Sequence, residues 1–167
     1  MRSSRKGGGK GSIDIATEIL HAVEILKELR GIEGCEELRM VTDSRGDSEG
    51  GTVSIGTTWA RGGNLSDWLR GSHQGYLELE EVERVVAEAA LILASIHGKG
   101  VFHGDVKLEN ILFKEAKSGS QIMLVDFCTA FKFSSYIDGD PFPVQCSPMY
   151  VPPEVLHPQP HKKSYCY

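Results

Sequence analysis

The sequence predicts an α+β fold, in which helices and short antiparallel strands share one domain. Residues 15–29 and 79–97 carry apolar side chains at the helical period. Residues 38–58 have the pattern of a β-hairpin, because an apolar run and an alternating run flank a turn rich in Gly, Asp and Ser. Two further apolar runs, 110–113 and 122–127, have the length of short buried strands. The chain of 167 residues suits a single domain.

The helical segments have recognisable ends. The first is expected to be capped near Ser12 or Asp14 and to stop at Gly31. The longer one is expected to end at residues 98–100, and a short helix is predicted over residues 64–69. The predicted apolar face of the first helix is Ile15, Ile19, Val23, Leu26 and Leu29. That of the long helix is Leu79, Val82, Val85, Val86, Ala89, Leu93 and Ile96. All seven prolines follow residue 128, so the remainder is expected to be mostly loop.

Charge and composition argue against two classes of partner. The first ten residues carry four of the 18 basic side chains and none of the 23 acidic ones, so the body is more acidic than the formal net charge of −5. An acidic body argues against broad nucleic-acid binding. The longest apolar run, residues 89–96, is too short to span a membrane. Four scattered cysteines without a CxxC pair suit reduced thiols, which predicts a cytoplasmic or nuclear protein.

Four polar residues near the last two apolar runs have the chemistry of a phosphoryl-transfer site. Such a site needs a carboxylate for the attacking hydroxyl, a cation for the phosphate, and oxygen ligands for Mg²⁺. Asp105 and Lys107 supply the first two, and Asn110 and Asp126 supply the ligands. A single such residue is usually a turn or cap residue, but four in this order, each against an apolar run, indicate a site.

These residues lie in motifs that resemble those of eukaryotic protein kinases. The segment HGDVKLEN (103–110) is similar to the HRDLKPEN catalytic loop, and DFC (126–128) resembles the DFG metal-binding motif. CSPMYVPPE (146–154) resembles the end of the activation segment, GTPxYMAPE. TTWARGGNL (57–65) resembles the stretch from gatekeeper through hinge, and IHGKGV (96–101) resembles the lead-in to the catalytic loop.

The resemblance implies a role for each matching residue. It makes Asp105 the catalytic base, Lys107 the cation on the transferred phosphate, and Asn110 and Asp126 the ligands of Mg²⁺ bound with ATP. It also implies that the backbone of Thr58 and Ala60 binds the adenine of ATP. The remaining implied roles belong to Thr57 as a small gatekeeper, His103 as packing for Phe127, and Ser147 as a support of the catalytic loop typical of Ser/Thr kinases.

Two positions depart from the family pattern. Gly104 replaces the Arg of HRD, which usually binds an activation-loop phosphate, so the chain is expected to be a non-RD kinase. Cys128 replaces the glycine of DFG, where a β-carbon is expected to add backbone strain of roughly 1–3 kcal/mol.

Other family elements have no clear counterpart. The segment Gly7–Gly11 has neither a preceding strand nor a GK[ST] ending, which argues against a phosphate-binding loop. Lys10 occupies the place of the strand lysine in a segment too rich in glycine to favour a strand. Glu18 and Glu24 are alternatives for the glutamate of the first helix that pairs with that lysine.

The sequence therefore predicts a partial, truncated kinase-like fold. It comprises a flexible basic arm (1–12), a partial kinase domain (13–156) and a tail (157–167), and the later helices of the large lobe are expected to be missing. The expected function is ATP-dependent phosphoryl transfer to Ser or Thr of protein substrates. The alternative is a pseudokinase, a kinase-like binding module without catalysis.

Overall fold

The structure is a computed structural model that describes residues 15–43, 53–71, 76–117, 119–135 and 147–151. The cap positions Ser12 and Asp14, the glycine-rich segment with Lys10, the tail, and residues 146 and 152–154 of the segment 146–154 lie outside the described residues. The elements in chain order are α1 (Ile15–Glu28), β1 (Leu38–Asp43), β2 (Val53–Thr57), α2 (Leu65–Gly71), α3 (Leu79–His97), β3 (Val101–Phe102), β4 (Ile111–Phe113), β5 (Ile122–Leu124) and β6 (Phe131–Lys132). No helix of the described part is long and apolar enough to cross a membrane.

Helix α1 buries one broad face against the β1–β2 hairpin. Val23, Leu26 and Leu29 are buried as the period predicts, and Ala22 and Ile25 are buried beside them. The two strands pair antiparallel, with Val41 opposite Ile55. The predicted hairpin is thereby confirmed.

Helix α3 has the predicted bounds but not the whole predicted face. Val85 and Ile96 are buried, together with Ile92, which the prediction did not include. Leu79 and Val86 are 72% and 61% exposed, so assigning them to the core was wrong. The apolar side chains of α3 cover more than one face, and only the face toward β3 and β5 is covered by described elements.

Strand β4 is hydrogen-bonded to the connector between β2 and α2. The Gly62 N–H donates to the Phe113 carbonyl at 3.0 Å, and the Phe113 N–H donates to the Gly63 carbonyl at 2.9 Å. A β-carbon on Gly62 would lie 2.6 Å from the Phe113 carbonyl oxygen, so this close approach requires glycine. Trp68 closes the contact by packing edge-on against the Phe113 ring.

The segment from α1 to β1 docks on β5 from the opposite side. The Leu124 N–H donates to the Gly34 carbonyl at 2.7 Å, and the Glu36 N–H donates to the Leu124 carbonyl at 3.0 Å. Strand β5 is therefore hydrogen-bonded along both edges, because β4 pairs with its other edge, with Ile111 opposite Leu124. The core is built around this strand and consists mainly of Ile25, Leu29, Ile96, Val101, Phe113, Ile122, Leu124 and Phe127.

Gly34 provides a test of this docking. Its φ is +83°, and an added β-carbon would lie 2.4 Å from Cδ1 of Ile92. Gly31 has nearly the same φ, +85°, but open space around it. We expect Gly31→Ala to lower the free energy of unfolding by about 1 kcal/mol through backbone strain alone. Gly34→Ala should cost a further ~1–3 kcal/mol through overpacking, as measured by urea denaturation.

The double variant Gly34→Ala/Ile92→Ala serves as the control. Shortening Ile92 removes the clashing atoms, so the double variant should lose less stability than the sum of the two single variants. Equal destabilisation by Gly31→Ala and Gly34→Ala would contradict the packing shown here.

Candidate active site

The candidate residues come together because β4 and β5 pair antiparallel. Asn110 immediately precedes β4, and Val125 immediately follows β5, so the two lie side by side across the ladder. The Val125 N–H donates to the Asn110 carbonyl at 3.1 Å. Asp126 comes next, which places the loop before β4 and the loop after β5 next to each other.

Asp105 lies at the centre of a small polar cluster. It is buried, and its carboxylate accepts from Lys107 Nζ at 2.5 Å and from the Ser147 N–H at 2.8 Å. Burial alone would raise the pKa of Asp105, but the hydrogen bonds from Lys107 and Ser147 outweigh it and hold the pKa below its ordinary value. Asp105 is therefore an ionised acceptor at neutral pH.

Lys107 bridges Asp105 and Ser147. Its ammonium donates to Asp105 and, at 2.9 Å, to the Ser147 hydroxyl. The hydrogen bond with Asp105 raises the pKa of Lys107, so the side chain keeps its charge. Because the lysine side chain stays 20% exposed, it can also reach an anion outside the chain.

Asn110 and Asp126 supply oxygen atoms that suit a hard divalent cation. Asn110 Nδ2 donates to the Asp105 carbonyl at 2.9 Å, which fixes the amide, and no donor of the described residues is bonded to its Oδ1. The Asp126 carboxylate is exposed, and among the described residues it interacts with Cys128, through a long bond of 3.4 Å from the Cys128 N–H and through the Cys128 thiol. In the described part of the chain no three His, Cys, Asp or Glu side chains converge.

His103 connects the two loops through the core. Its Nε2 is 3.0 Å from the Val125 carbonyl, and its ring lies 4.7 Å from that of Phe127, the contact that the sequence predicts. The Thr129 hydroxyl donates to the His103 carbonyl at 3.2 Å. Burial lowers the pKa of His103, so the ring is neutral at physiological pH.

The two departures from the family pattern have different structural consequences. Gly104 has a φ of +83°, and an added β-carbon would lie 2.5 Å from the Thr129 carbonyl oxygen, so a larger residue does not fit this backbone. Cys128 does not have a positive φ, so the backbone strain expected at this residue is not found. Asp126, with a φ of 68°, is the one non-glycine residue of the described chain with positive φ. Burial raises the pKa of the Cys128 thiol to about 12.

The predicted adenine-binding residues lie apart from the Asp105 cluster, on the connector after β2. The Thr58 N–H donates to the Glu37 carbonyl at 2.9 Å, so this group is occupied. The Thr58 carbonyl and the Ala60 N–H have no hydrogen-bond partner among the described residues. Those two groups are consequently the ones that remain able to bind a base edge.

Glu36 is a buried residue of the site that sequence reasoning missed. It is 9% exposed, and its carboxylate accepts the Asp126 N–H at 2.7 Å. Burial is the main cause that raises the pKa of Glu36. The only signal in the sequence is a pair of adjacent acidic residues, Glu36 and Glu37, which any exposed turn also carries.

The two alternatives for the glutamate of α1 differ in where they face. Glu24 is exposed and pairs with Lys27 at 2.8 Å. Glu18 is half-buried and acts electrostatically on Cys128. Glu18 is therefore the one on the side of the loop with Asp126 and Cys128. Lys10, which occupies the place of the strand lysine, lies outside the described residues.

Comparison with known proteins agrees with this geometry. The family model described as the protein kinase domain matches residues 12–166. The chain belongs to the protein kinase family. The kinase-like α+β fold predicted from the sequence is thereby confirmed, with β1–β2, the hinge connector, the catalytic loop and the metal-binding loop in the expected order.

The curated relatives are Ser/Thr kinases of modest identity. The probable serine/threonine-protein kinase fnkB of Dictyostelium discoideum is 33% identical over 62% of this chain and 19% of its own length. A probable cAMP-dependent protein kinase catalytic subunit of Encephalitozoon cuniculi is 30% identical over 85% of this chain and 40% of its own. CDPK-related kinase 1 of Arabidopsis thaliana is 30% identical over 89% of this chain and 25% of its own. The chain thus spans less than half of these relatives.

The buried His103 makes kinase-domain stability depend on pH. Its folded pKa lies below the ordinary value of 6.5, so the unfolded chain binds the proton more readily. The stabilisation is complete above about pH 6.5 and is lost as the pH falls through the folded pKa. In His103→Gln the fall in unfolding free energy below pH 6.5 should therefore be shallower, as measured by urea denaturation at several pH values.

His97→Gln is the matched comparison. Burial also lowers the pKa of His97, but this ring is only half-buried. Its removal should flatten the pH dependence less than removal of His103. An unchanged slope in His103→Gln would contradict the neutral, buried state of this ring.

Proposed function

We propose that this kinase domain transfers the terminal phosphoryl group of ATP to a Ser or Thr hydroxyl of a protein substrate. The observation that carries the proposal is the cluster around Asp105, where an ionised carboxylate, the Lys107 ammonium and the Ser147 hydroxyl are bonded to one another. Asn110 is fixed to the same loop by its bond to the Asp105 carbonyl.

Asp105 would orient the substrate hydroxyl and accept its proton as the new P–O bond forms and the bond from the γ-phosphorus to the bridging oxygen breaks, releasing ADP. Its lowered pKa keeps it ionised, although it makes the carboxylate a weak base, so orientation is its larger contribution. Such transfers pass through a loose transition state, in which positioning and charge stabilisation supply most of the catalysis. Lys107 is the cation available for the transferred phosphate.

Asn110 and Asp126 would hold Mg²⁺ together with the phosphate oxygens of ATP, and the metal would neutralise charge on those phosphates. The fixed amide of Asn110 and the exposed carboxylate of Asp126 support this assignment. The free Thr58 carbonyl and Ala60 N–H support adenine binding at the hinge. Ser147, bonded to Lys107 and Asp105, supports Ser/Thr specificity.

The location of the protein and the class of its partners are proposed from its cysteines and its charge. The free thiols Cys35 and Cys128 support a cytoplasmic or nuclear location, where thiols stay reduced. The acidic body of the chain argues against nucleic acid as a partner. The protein substrate itself is proposed only by class.

Asp105→Asn tests the proposal. The amide keeps an oxygen for the Ser147 N–H but loses the charge and the proton-accepting capacity. We expect phosphate transfer from Mg·ATP to a generic protein substrate to fall about 10²–10⁴-fold, while Mg·ATP binding is retained. Radiolabelled phosphate transfer and calorimetric binding measure the two quantities.

Asp67→Asn, an exposed acid on α2, is the control and should leave the rate unchanged. Transfer that survives Asp105→Asn would refute the catalytic role. If the unsubstituted chain binds Mg·ATP without turnover, the alternative of a pseudokinase binding module is supported instead.

We also propose that activity does not depend on phosphorylation of the activation loop. Gly104 offers no cation for a loop phosphate, and the close approach of its backbone to Thr129 leaves no room for one. The phosphomimetic pair Ser134→Glu/Ser135→Glu should therefore leave the transfer rate within about twofold, since surface charges without a partner contribute little. A tenfold rise in rate would contradict this.

A further inference from the structure

We propose that Glu36 is a positioning residue that holds the metal-binding residue Asp126 in its working backbone conformation and ties it to the gatekeeper Thr57. The role of Asp126 rests on the proposed function. The position of Glu36 rests on contacts of the chain alone.

The backbone delivers Glu36 to this place. Residues 34–36 run along the free edge of β5, bonded to Leu124 through the carbonyl of Gly34 and the N–H of Glu36. Asp126 lies two residues beyond Leu124 on the same strand direction. These two bonds fix the register of residues 34–36 on β5, so the Glu36 side chain lies next to the turn that follows β5.

The carboxylate of Glu36 is satisfied by the metal-binding loop and by β2. It accepts the Asp126 N–H at 2.7 Å, and the Thr57 hydroxyl and the Phe127 N–H lie near enough to lower its pKa against the effect of burial. Bonds in which a carboxylate accepts from backbone N–H groups are stronger than neutral ones. One side chain thus connects the end of β2 with two successive residues of the DFC motif.

Asp126 needs such support because its backbone is strained. Its φ of 68° lies in the left-handed region, which L-residues adopt at an energetic cost. A strained conformation of this kind persists only when its surroundings hold it. Two contacts in the described structure hold the peptide group between Val125 and Asp126: His103 Nε2 lies 3.0 Å from its carbonyl, and Glu36 accepts its N–H.

The carboxylates of Glu36 and Asp126 lie in different surroundings, the first buried and the second exposed. Glu36 and Asp126 repel each other, as the influence of Asp126 on the pKa of Glu36 indicates. With its N–H held inward by Glu36, Asp126 keeps its own carboxylate outward and exposed. That arrangement leaves the Asp126 oxygens available for a cation.

Two substitutions at Glu36 separate positioning from simple packing. Glu36→Gln removes the charge but keeps an acceptor for the Asp126 N–H, whereas Glu36→Val removes both. The difference between the two variants therefore isolates the hydrogen bond. Ser120→Ala is the matched control, because Ser120 is also buried and accepts a backbone N–H, from Glu115 at 2.9 Å, away from the site.

The first readout is Mn²⁺ affinity in the presence of ADP, measured by electron paramagnetic resonance on the whole chain. Residues that orient metal ligands typically contribute 10–100-fold to metal affinity. We expect Glu36→Val to weaken Mn²⁺ binding by about tenfold or more, and Glu36→Gln to stay within about threefold. Ser120→Ala should not change it.

The second readout needs neither metal nor turnover. Cys128 is half-buried within the loop, so its alkylation by N-ethylmaleimide, resolved by peptide mass spectrometry, reports how often the loop opens. Glu36→Val should be alkylated about tenfold faster than Glu36→Gln at equal pH. Thr57→Val, which removes a donor to Glu36, should shift the rate in the same direction by a smaller factor, and it remains informative if Glu36→Val does not fold.

The outcomes discriminate among the possibilities. Rescue by Gln but not Val in both readouts supports the proposal. Rescue in Cys128 reactivity without any Mn²⁺ binding by the unsubstituted chain supports the positioning role while refuting the proposed metal site. Equal behaviour of Gln and Val, or a Val variant that behaves like Ser120→Ala, would overturn the role of Glu36.

Discussion

Hydrogen bonding along both edges of β5 is the constraint on which the site depends. The strand has only three residues, yet β4 pairs with one edge and residues 34–36 lie along the other. Three of the candidate groups are placed by reference to it: Asn110 lies before β4, Asp126 follows β5, and Glu36 lies alongside. Even the hinge is attached to this unit, through the bonds of Gly62 and Gly63 to Phe113. Displacing β5 would therefore move Asn110, Asp126 and the connector between β2 and α2 together.

The charges of the site are arranged so that each has a defined partner or a defined exposure. Asp105 is buried and paired with Lys107, which a buried carboxylate requires. Glu36 is buried and satisfied by backbone and hydroxyl donors, which explains how it tolerates burial next to Asp126. Asp126 alone among the three carboxylates is exposed. The residue left with open oxygen atoms is thus the one that the family pattern assigns to a metal.

The sequence prediction succeeded for features that depend on local pattern and motif order. It failed for features that depend on contacts between segments distant in the sequence. The period of apolar residues predicted α3 with its bounds, because that signal is local. It could not tell that Ile92 is buried while Leu79 and Val86 are exposed, since that depends on which face meets β3 and β5. The motifs likewise predicted Asp105 and Asn110, which the structure brings together. Glu36 was missed because the choice between Glu36 and Glu37 is made by pairing with β5, residues far away in the sequence.

The two departures from the family pattern, Gly104 and Cys128, lie on two loops that pack against each other. Gly104 lets the catalytic loop approach the backbone at Thr129, and the Thr129 hydroxyl bonds back to the carbonyl of His103. The catalytic and metal-binding loops are therefore joined by direct backbone packing at one end. At the other end Glu36 holds Asp126, so the loop carrying Cys128 is fixed from both sides. An arginine that binds a phosphate joins such loops only after phosphorylation. The packing of a glycine and the hydrogen bonds of a buried carboxylate join them in the folded chain without phosphorylation. The proposed independence from loop phosphorylation rests on this arrangement, because the packing of Gly104 on Thr129 joins the two loops without a charged ligand.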